Sequence, residues 1–364
     1  MNHRALILGI GICSASSIYA APEDLFLQAK SFSNSPPASI SIGIDAVNET
    51  IDVFDLRAKE GVSSGAGDYL GGHISAAYQF APQWTLQGAY WYREIDYTQD
   101  TNAIHSPLLG VRYFPDLNLD AKDALFFRLS IWGNRADELR KSTATLVNKR
   151  RLEQVTVNKP QDWQLQFDAV FSRQLDHMNI LNAFASVGYS QVKVDQLKIQ
   201  ATANGCLMDI SIHSNNQFDG QLSKPCTSGN LLLTELTVTG NASEYGIDMQ
   251  KDLNYDAYFA SIGGSWNWRY KQFESQLAYQ YQHLWRNDID DRISSFGNAA
   301  IEDNHSLGLK FSYDFHPQVR GFLQGEIYQN NFVGTIPFIY NGVTASRLDK
   351  RYGLASIGVT FHNF

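Results

Sequence analysis

The sequence has 364 residues, of which 44% are hydrophobic, 13% aromatic and 18% charged, and its formal net charge is −8 at pH 7. This composition excludes a disordered chain, a collagen-like repeat and a coiled coil, because abundant apolar and aromatic residues accompany only 10 prolines. The acidic balance argues against a nucleic-acid partner, since such partners select basic surfaces. The mean hydropathy of −0.27 is typical of a soluble protein, but an average conceals any alternation between apolar and polar residues.

The first twenty residues have the pattern of a secretory signal peptide. Arg4 precedes a short apolar run, and small residues then lead to Ala20. The apolar run is too short for a membrane-spanning helix, which needs about 20 such residues. We predict cleavage after Ala20, because cleavage one residue later would leave Pro22 at the new N-terminus. The segment 21–38 is then periplasmic, and a short helix is one interpretation of its first part.

From residue 39 onwards, apolar and polar residues alternate with a period of two. Ile40, Ile42 and Ile44, for example, alternate with Ser41 and Gly43. Successive residues of a strand point to opposite faces, so each such segment has one apolar and one polar face. The pattern predicts twelve strands, and fourteen is the alternative, because the long loops have room for another pair. The predicted segments are 40–46, 73–80, 84–97, 105–115, 125–132, 163–172, 180–200, 253–268, 273–282, 306–315, 319–331 and 350–364.

The connections between these segments alternate between short and long. Outer-membrane barrels have short periplasmic turns and long external loops, and tryptophan and tyrosine near strand ends suit the membrane interfaces. We therefore predict that residues 39–364 form a closed antiparallel β-barrel in the outer membrane of a Gram-negative bacterium, in contact with outer-membrane lipid and lipopolysaccharide. Within one long loop, 143–148 and 153–158 are predicted to pair as a hairpin above the membrane. The long loops are 59–68, 98–104, 135–161, 201–252, 287–303 and 332–349.

Two cysteines remain after removal of the signal peptide, Cys206 and Cys226. An even number of cysteines in an exported chain indicates a disulfide. We predict that this disulfide closes part of the external loop 201–252.

The end of the chain resembles the closing strand of bacterial outer-membrane barrels. That signal combines a glycine, an aromatic residue three positions on and a terminal phenylalanine, which here are Gly358, Phe361 and Phe364. The two phenylalanines are three positions apart, whereas the broad class has a spacing of two. The resemblance is to outer-membrane β-barrel proteins as a broad, porin-like class, and it implies the barrel assembly machinery as a partner.

The predicted inward faces carry charged residues and many glutamines. Arg93, Arg112 and Arg128 fall on three consecutive strands, so they can form one basic wall. Channels select solutes through rings or walls of charge. We therefore predict an outer-membrane channel for passive diffusion of small polar solutes, anions among them, provided that acidic residues do not neutralise the wall. The alternative is a plugged barrel that acts through its external loops. The predicted lumen-lining charges are Arg93, Arg112, Arg128, Lys310, Arg320, Asp168, Glu274, Asp314 and Glu326.

An outer-membrane hydrolase is the third interpretation. His73 and Ser75 resemble the His-x-Ser pair of outer-membrane phospholipases, but the alternation directs both side chains into the lumen. A nucleophile also needs a base that a third group holds in place, and the sequence provides no clear third group. We therefore predict no catalytic residues, no metal site and no cofactor.

Overall fold

The computed structural model describes residues 25–32, 37–47, 69–97, 100–142, 145–147, 150–286, 288–293, 299–329, 336–341 and 352–363. The predicted signal peptide and Phe364 lie outside the described residues. Within the described ranges, no helix is long and apolar enough to cross a membrane.

Twelve of the described strands form a closed barrel in which every neighbouring pair is antiparallel. With all strands numbered in chain order, the barrel strands are β1 (Ala38–Val47), β2 (Tyr69–Ala81), β3 (Trp84–Tyr97), β4 (Asp100–Tyr113), β5 (Asp123–Arg135), β9 (Gln161–Gln174), β10 (Asn179–Lys193), β17 (Tyr255–Tyr270), β18 (Phe273–Arg286), β19 (Asp303–His316), β20 (Val319–Tyr328) and β21 (Tyr352–His362). Strand β1 pairs with both β2 and β21, so the first and last strands close the ring. The predicted count of twelve is confirmed.

Strand β9 illustrates how the alternation produces the two faces of the barrel. Trp163, Leu165 and Phe167 point outward with exposed fractions of 39%, 42% and 44%, whereas Gln164 and Gln166 between them are buried inside. A soluble protein does not leave such a continuous apolar surface in water. Lipid covers it in a transmembrane barrel, where closure also leaves no strand edge unpaired.

Most barrel strands are joined by short turns at one end and by long connections at the other, as predicted. The predicted long loop 98–104 is wrong, because only residues 98–99 separate β3 from β4, and the β4–β5 connection at the short-turn end is longer, at residues 114–122. The long connections carry a second sheet, which we call the outer sheet, with the strand order β16–β13–β12–β11–β8–β6 and with β7 paired to β8. Its strands are β6 (Glu138–Lys141), β7 (Thr145–Val147), β8 (Arg150–Asn158), β11 (Gln196–Ala203), β12 (Cys206–His213), β13 (Gln217–Leu222) and β16 (Thr237–Asn241). A separate hairpin is formed by β14 (Cys226–Ser228) and β15 (Leu231–Leu233), and the short helices are α1 (Met249–Asp252) and α2 (Ile289–Ile293).

The outer sheet explains one difference from the predicted strands. The segment 180–200 was predicted as one strand, but the barrel strand ends at Lys193 and β11 begins at Gln196. The chain leaves the barrel here because Val194 and Ile199 are buried in an apolar core shared by the outer sheet and the loops. A hairpin near residue 149 is present, but its pairing differs from the predicted one. Strand β7 pairs with residues 150–152 of β8, and residues 155–158 of β8 pair with β6.

The predicted disulfide is confirmed. Cys206 and Cys226 are joined with an S–S distance of 1.97 Å and a Cα–Cα distance of 5.3 Å. The bond connects the first residue of β12 to the first residue of β14, so it fastens the β14–β15 hairpin to the outer sheet.

Candidate functional site

Polar side chains line the lumen from the short-turn end to the long-loop end. On the inward face of β9, five polar residues are buried over the length of the strand, with the apolar Val170 between the first two: Ser172, Asp168, Gln166, Gln164 and Asp162. Their partners lie on neighbouring strands, since Ser172 Oγ donates to Asn182 Oδ1 at 2.5 Å. The lumen is therefore the candidate functional site.

The structure places Arg93, Arg112 and Arg128 on the inward faces of β3, β4 and β5, and we call these three residues the basic strip. The β5–β9 register sets Arg128 directly opposite Asp168. Arg128 Nε donates to Asp168 Oδ2 at 2.6 Å, and the two side chains are only 2% and 0% exposed. The assumption that acidic residues leave the strip unneutralised is therefore wrong for Arg128.

The other two arginines of the strip have different surroundings. Arg112 lies opposite Arg128 across the β4–β5 pair, with its guanidinium carbon 5.2 Å from the ring centre of Phe126. Arg93 Nη1 donates to Asn134 Oδ1 at 3.1 Å, and Arg93 is fully buried. These contacts fix both side chains in the lumen.

A second group of charges lies near the short-turn end, on β17 to β20. Arg320 Nε donates to Asp314 Oδ1 at 2.6 Å, and its Nη1 donates to Glu274 Oε2 at 3.2 Å. Arg269 Nη2 also donates to Asp314, at 2.8 Å from Oδ2. Arg320 thus contacts both carboxylates, and Arg269 contacts Asp314. These side-chain contacts link the four neighbouring strands β17 to β20.

Glu326 is the remaining acidic residue predicted to line the lumen. It is 2% exposed on the inward face of β20, and it accepts hydrogen bonds from Gln324 Nε2 and from the Tyr328 hydroxyl. Lys310, on the inward face of β19, lies over the Phe322 ring at 5.1 Å from its centre.

Two tryptophans and the His-Ser pair also point into the barrel. Trp91 and Trp132 are 2% and 5% exposed and belong to one small apolar cluster. His73 is buried and stacks on Phe322 with 6.3 Å between ring centres. Ser75 lines a lumenal cavity of about 40 Å³, which has room for water. Among the residues that the structure describes, no group of three or more His, Cys, Asp or Glu is arranged to hold a metal ion.

An N-terminal segment, residues 25–32, fills the short-turn end of the lumen. Leu25, Phe26 and Leu27 are 4%, 4% and 1% exposed. The segment forms turns and irregular backbone, so these residues adopt no helix, and they lie inside the barrel rather than beside it. A backbone N–H of the segment, which a helix would pair with one of its own carbonyl groups, is paired here with a lumenal side chain. Ala29 N–H donates to Ser172 Oγ at 2.7 Å.

A mouth segment, Ile336–Asn341, covers the opposite end. It belongs to the connection between β20 and β21, and all six of its residues are buried. Its short helical turn, Pro337–Ile339, contacts β9 and β10, which lie across the ring from β20 and β21. The Tyr255 hydroxyl donates to Pro337 O at 2.6 Å. The segment therefore spans the barrel mouth.

Charged groups at the end of β18 and in α2 hold the mouth segment in place. The Tyr340 hydroxyl donates to Asp290 Oδ1 at 2.9 Å, and the Arg286 guanidinium lies 4.0 Å from the centre of the Tyr340 ring. Arg286 Nη1 also lies 3.6 Å from Asp290 Oδ1. Burial raises the pKa of Asp290 and of Tyr340 above their usual values, and the nearby charge of Arg286 partly offsets the rise in both pKa values. We call these three residues the latch.

The proposed closing-strand residues lie at the β1–β21 seam. Gly358 is opposite Gly43, and a Cβ on Gly358 would lie 2.4 Å from Phe322 Cζ and 2.5 Å from Ile42 O. A residue larger than glycine at position 358 would therefore clash with Phe322 and Ile42 unless they shift. Phe361 is 41% exposed on the outward face.

A closed antiparallel barrel with an apolar exterior, a polar interior, short turns at one end and long loops at the other has the architecture of outer-membrane β-barrel proteins. The protein is of this class and is located in the outer membrane.

No protein-family model and no curated protein sequence matches this chain. Solved structures with a similar fold include the CymD monoaromatic hydrocarbon channel, with 12% identity and a TM-score of 0.40 over 97% of this chain and 95% of that one. The β-domain of the Bordetella autotransporter BrkA has 10% identity and a TM-score of 0.46 over 90% and 100% of the chains. The NanC porin has 9% identity and a TM-score of 0.40 over 90% and 100%. These similarities assign no activity to this chain.

Proposed function

We propose that the protein is an outer-membrane channel for the passive diffusion of small polar solutes, and that the described conformation is its closed state. The observation that carries this proposal is the polar lining, which runs through the barrel from Ser172 to Asp162 on β9. Both closures are formed by segments outside the barrel wall, the N-terminal segment and the mouth segment. Most inward positions of the wall are polar, so we expect movement of those segments to admit water and solutes.

Bilayer conductance tests the proposal. We compare the full mature chain with three variants, which lack residues 21–32, carry a Gly-Ser linker of equal length in place of Ile336–Asn341, or combine both changes. Unboiled and boiled samples on a detergent gel show whether each variant has folded. We expect the doubly altered barrel to conduct ions and to admit sugars in a liposome-swelling assay. A folded double variant that neither conducts nor admits solutes would refute the channel.

The basic strip supports a modest preference for anions. The strip places three arginines on the adjacent strands β3 to β5, and the charge of Arg128 is balanced by Asp168 at 2.6 Å. Fixed charge in a confined passage concentrates counter-ions, and salt screens the effect. We therefore expect the reversal potential in a salt gradient to show weak anion selectivity, strongest at low ionic strength.

Two substitutions of opposite sign test this preference in the open variant. Arg112→Ala removes a positive charge and lowers the anion-to-cation permeability ratio, and Asp168→Asn removes a negative charge and raises it. Glu235→Gln is the matched control, because Glu235 is exposed in the external connection between β15 and β16, so it changes the net charge away from the lumen. Equal shifts in all three variants would contradict a lumenal origin of the selectivity.

The second candidate is a closed barrel that binds a partner through its external loops. It is favoured by the disulfide-fastened β14–β15 hairpin, where Leu231 and Leu232 are 62% and 65% exposed. Exposed apolar side chains on an external hairpin are suited to a protein partner. Failure of every folded variant to conduct would favour this candidate.

A further inference from the structure

We infer that the short-turn end of the lumen is a binding site for a short apolar peptide, and that the N-terminal segment occupies it as a reversible plug. The inference rests on the proposed channel function only in that the plug closes the channel. The site itself is defined by contacts to apolar side chains, to the peptide backbone and to a glutamine.

The apolar part of the site interrupts an otherwise polar lining. Phe126, Val170 and Phe184 lie on the inward faces of the neighbouring strands β5, β9 and β10, and they form one cluster with Leu27. In an empty lumen these three side chains would face water, which is unfavourable for apolar surface. Leu27 covers them and is itself 1% exposed. The cluster is therefore a pocket for one leucine-sized side chain.

Polar side chains beside this pocket recognise the peptide backbone. Ser172 Oγ accepts from the Ala29 N–H at 2.7 Å, and Gln276 Nε2 donates to Phe26 O at 3.2 Å. Asn267 Nδ2 donates to the side-chain oxygen of Gln28 at 2.5 Å. The site therefore contacts a backbone donor, a backbone acceptor and a side-chain amide of the segment.

The binding groups are held in place by one another. Asn182 accepts from Ser172 and donates to Ser265 Oγ at 2.8 Å and to Asn267 Oδ1 at 3.0 Å. Gln276 also donates to Ser265 Oγ, at 3.0 Å. Such a network orients the groups before a peptide arrives, which lowers the entropy lost on binding.

The opposite wall is shaped to the first two residues of the segment. A Cβ on Gly308 would lie 2.5 Å from Leu25 Cδ2 and 2.6 Å from Phe26 Cζ, so no larger residue fits without a shift. Ala278, also small, packs against the same two side chains. The Lys310 ammonium lies 5.8 Å from the centre of the Phe26 ring.

The plug can leave without opening the barrel. Residues 25–32 belong to no strand, whereas every barrel strand keeps both of its neighbours without them. The segment precedes β1 at the short-turn end, so it enters and leaves from the periplasmic side. The contacts described above that removal breaks are apolar contacts, side-chain hydrogen bonds and the contact of Lys310 with the Phe26 ring.

The test uses a synthetic peptide of residues 21–32 and the barrel that lacks those residues. A fluorescent version of the peptide should bind the truncated barrel, as measured by anisotropy, and a Leu27→Asp peptide should bind at least about tenfold more weakly, because complete burial of a leucine changes an equilibrium by about that factor. A peptide that fails to bind, or that binds equally well with Asp at residue 27, overturns the inference. This readout requires no current, so it separates failure of the site from failure of the channel.

Conductance then tests plugging, with the Gly-Ser mouth linker present in all samples. In full-length protein, Leu27→Asp and Gly308→Leu should each raise the open probability about tenfold or more, by removing the pocket contact or by occupying the space of Leu25 and Phe26. The added peptide should close the truncated channel from one side of the bilayer only. Leu236→Asp is the control, because Leu236 is exposed in the external connection between β15 and β16, and it should have no effect. If the linker variant conducts equally with and without residues 21–32, the plug is refuted and the channel stands.

Discussion

Replacement of Arg128 by Met removes the cation from a buried pair while keeping an unbranched side chain of similar length. The carboxylate of Asp168 then remains in a site where it is 0% exposed, with the Gln166 amide at 2.7 Å as its remaining described neighbour. Breaking one side of such a pair costs about 3–5 kcal/mol, because the remaining charge stays desolvated. We expect Arg128→Met and Asp168→Leu each to lower the free energy of unfolding by that amount.

The double variant distinguishes a desolvation effect from a simple loss of contacts. Replacing both members of a buried pair by apolar residues of similar volume is often neutral or stabilising by about 1–4 kcal/mol. Arg128→Met with Asp168→Leu should therefore recover most of the loss seen in the single variants, and the coupling energy should be several kcal/mol. Contacts that were independent of charge would instead give additive losses.

Urea unfolding in lipid vesicles, followed by tryptophan fluorescence, measures these free energies. Arg135→Met is the control on the same strand, because Arg135 is exposed, and a surface change of this kind stays within about 0.5 kcal/mol of the wild type. Single variants at Arg128 and Asp168 that are as stable as this control would refute the reasoning, since they would show that water reaches the pair.

Three further predictions concern the lipid face, the disulfide and assembly. Leu129→Arg places a charge on the outward face of β5, where Leu129 is 53% exposed, and should cost about 2–4 kcal/mol in vesicles; a loss below about 0.5 kcal/mol would contradict lipid contact there. Replacing Cys206 and Cys226 by Ser removes a link across 20 residues and should destabilise the outer sheet by about 3 kcal/mol, seen as faster amide exchange in that sheet with unchanged exchange in the barrel. We propose that Phe361 contacts the assembly machinery, so Phe361→Ser should reduce assembly in cells while purified protein still folds in detergent; equal defects in both would point to folding alone.

The barrel was predictable because its signal is local. Each strand alternates apolar and polar residues over 10 to 16 positions, and a closed barrel in lipid requires that alternation on every strand. The disulfide was predictable for a different reason, because only two cysteines follow the signal peptide. Neither inference needed to know which strands lie opposite each other across the lumen.

The pairing of Arg128 with Asp168 was not predictable from alternation. The outer-sheet strands β6 to β8 interrupt the chain between β5 and β9, so the register that sets these two residues opposite each other cannot be counted from a short turn. Inward orientation follows from a local pattern, but charge compensation depends on register between distant segments. The expected basic wall was for that reason overestimated.

The two closures were missed because each depends on contacts between parts of the chain that are distant in sequence. A signal for the inner one exists, since Phe126, Val170 and Phe184 are apolar residues at inward positions of strands whose inward neighbours are polar. A signal for the outer one is the apolar run from Ile336 to Tyr340 within a long loop. An apolar residue on a lumenal face indicates that another segment covers it, which is how such plugs can be sought in other barrels.

The two closures should respond differently to pH, because only the outer one depends on a buried carboxyl group in direct contact with the segment that it holds. Burial raises the pKa of Asp290, so the folded state favours its protonated form, and the stability that it contributes is lost as the pH rises through the folded pKa. Arg286, Glu302 and Tyr340 are the charged and titratable groups that act on it, and Arg286 opposes the shift. Amide exchange in the mouth segment should therefore accelerate, relative to an Asp290→Asn variant, as the pH is raised through that range.

Asp290→Asn is suitable because its amide oxygen can still accept from Tyr340, and Asp291→Asn on the exposed side of α2 is the control. The N-terminal segment, which apolar contacts and amide groups hold, should show no such difference between the two variants; if both segments change together, the closures are coupled and the latch does not act independently.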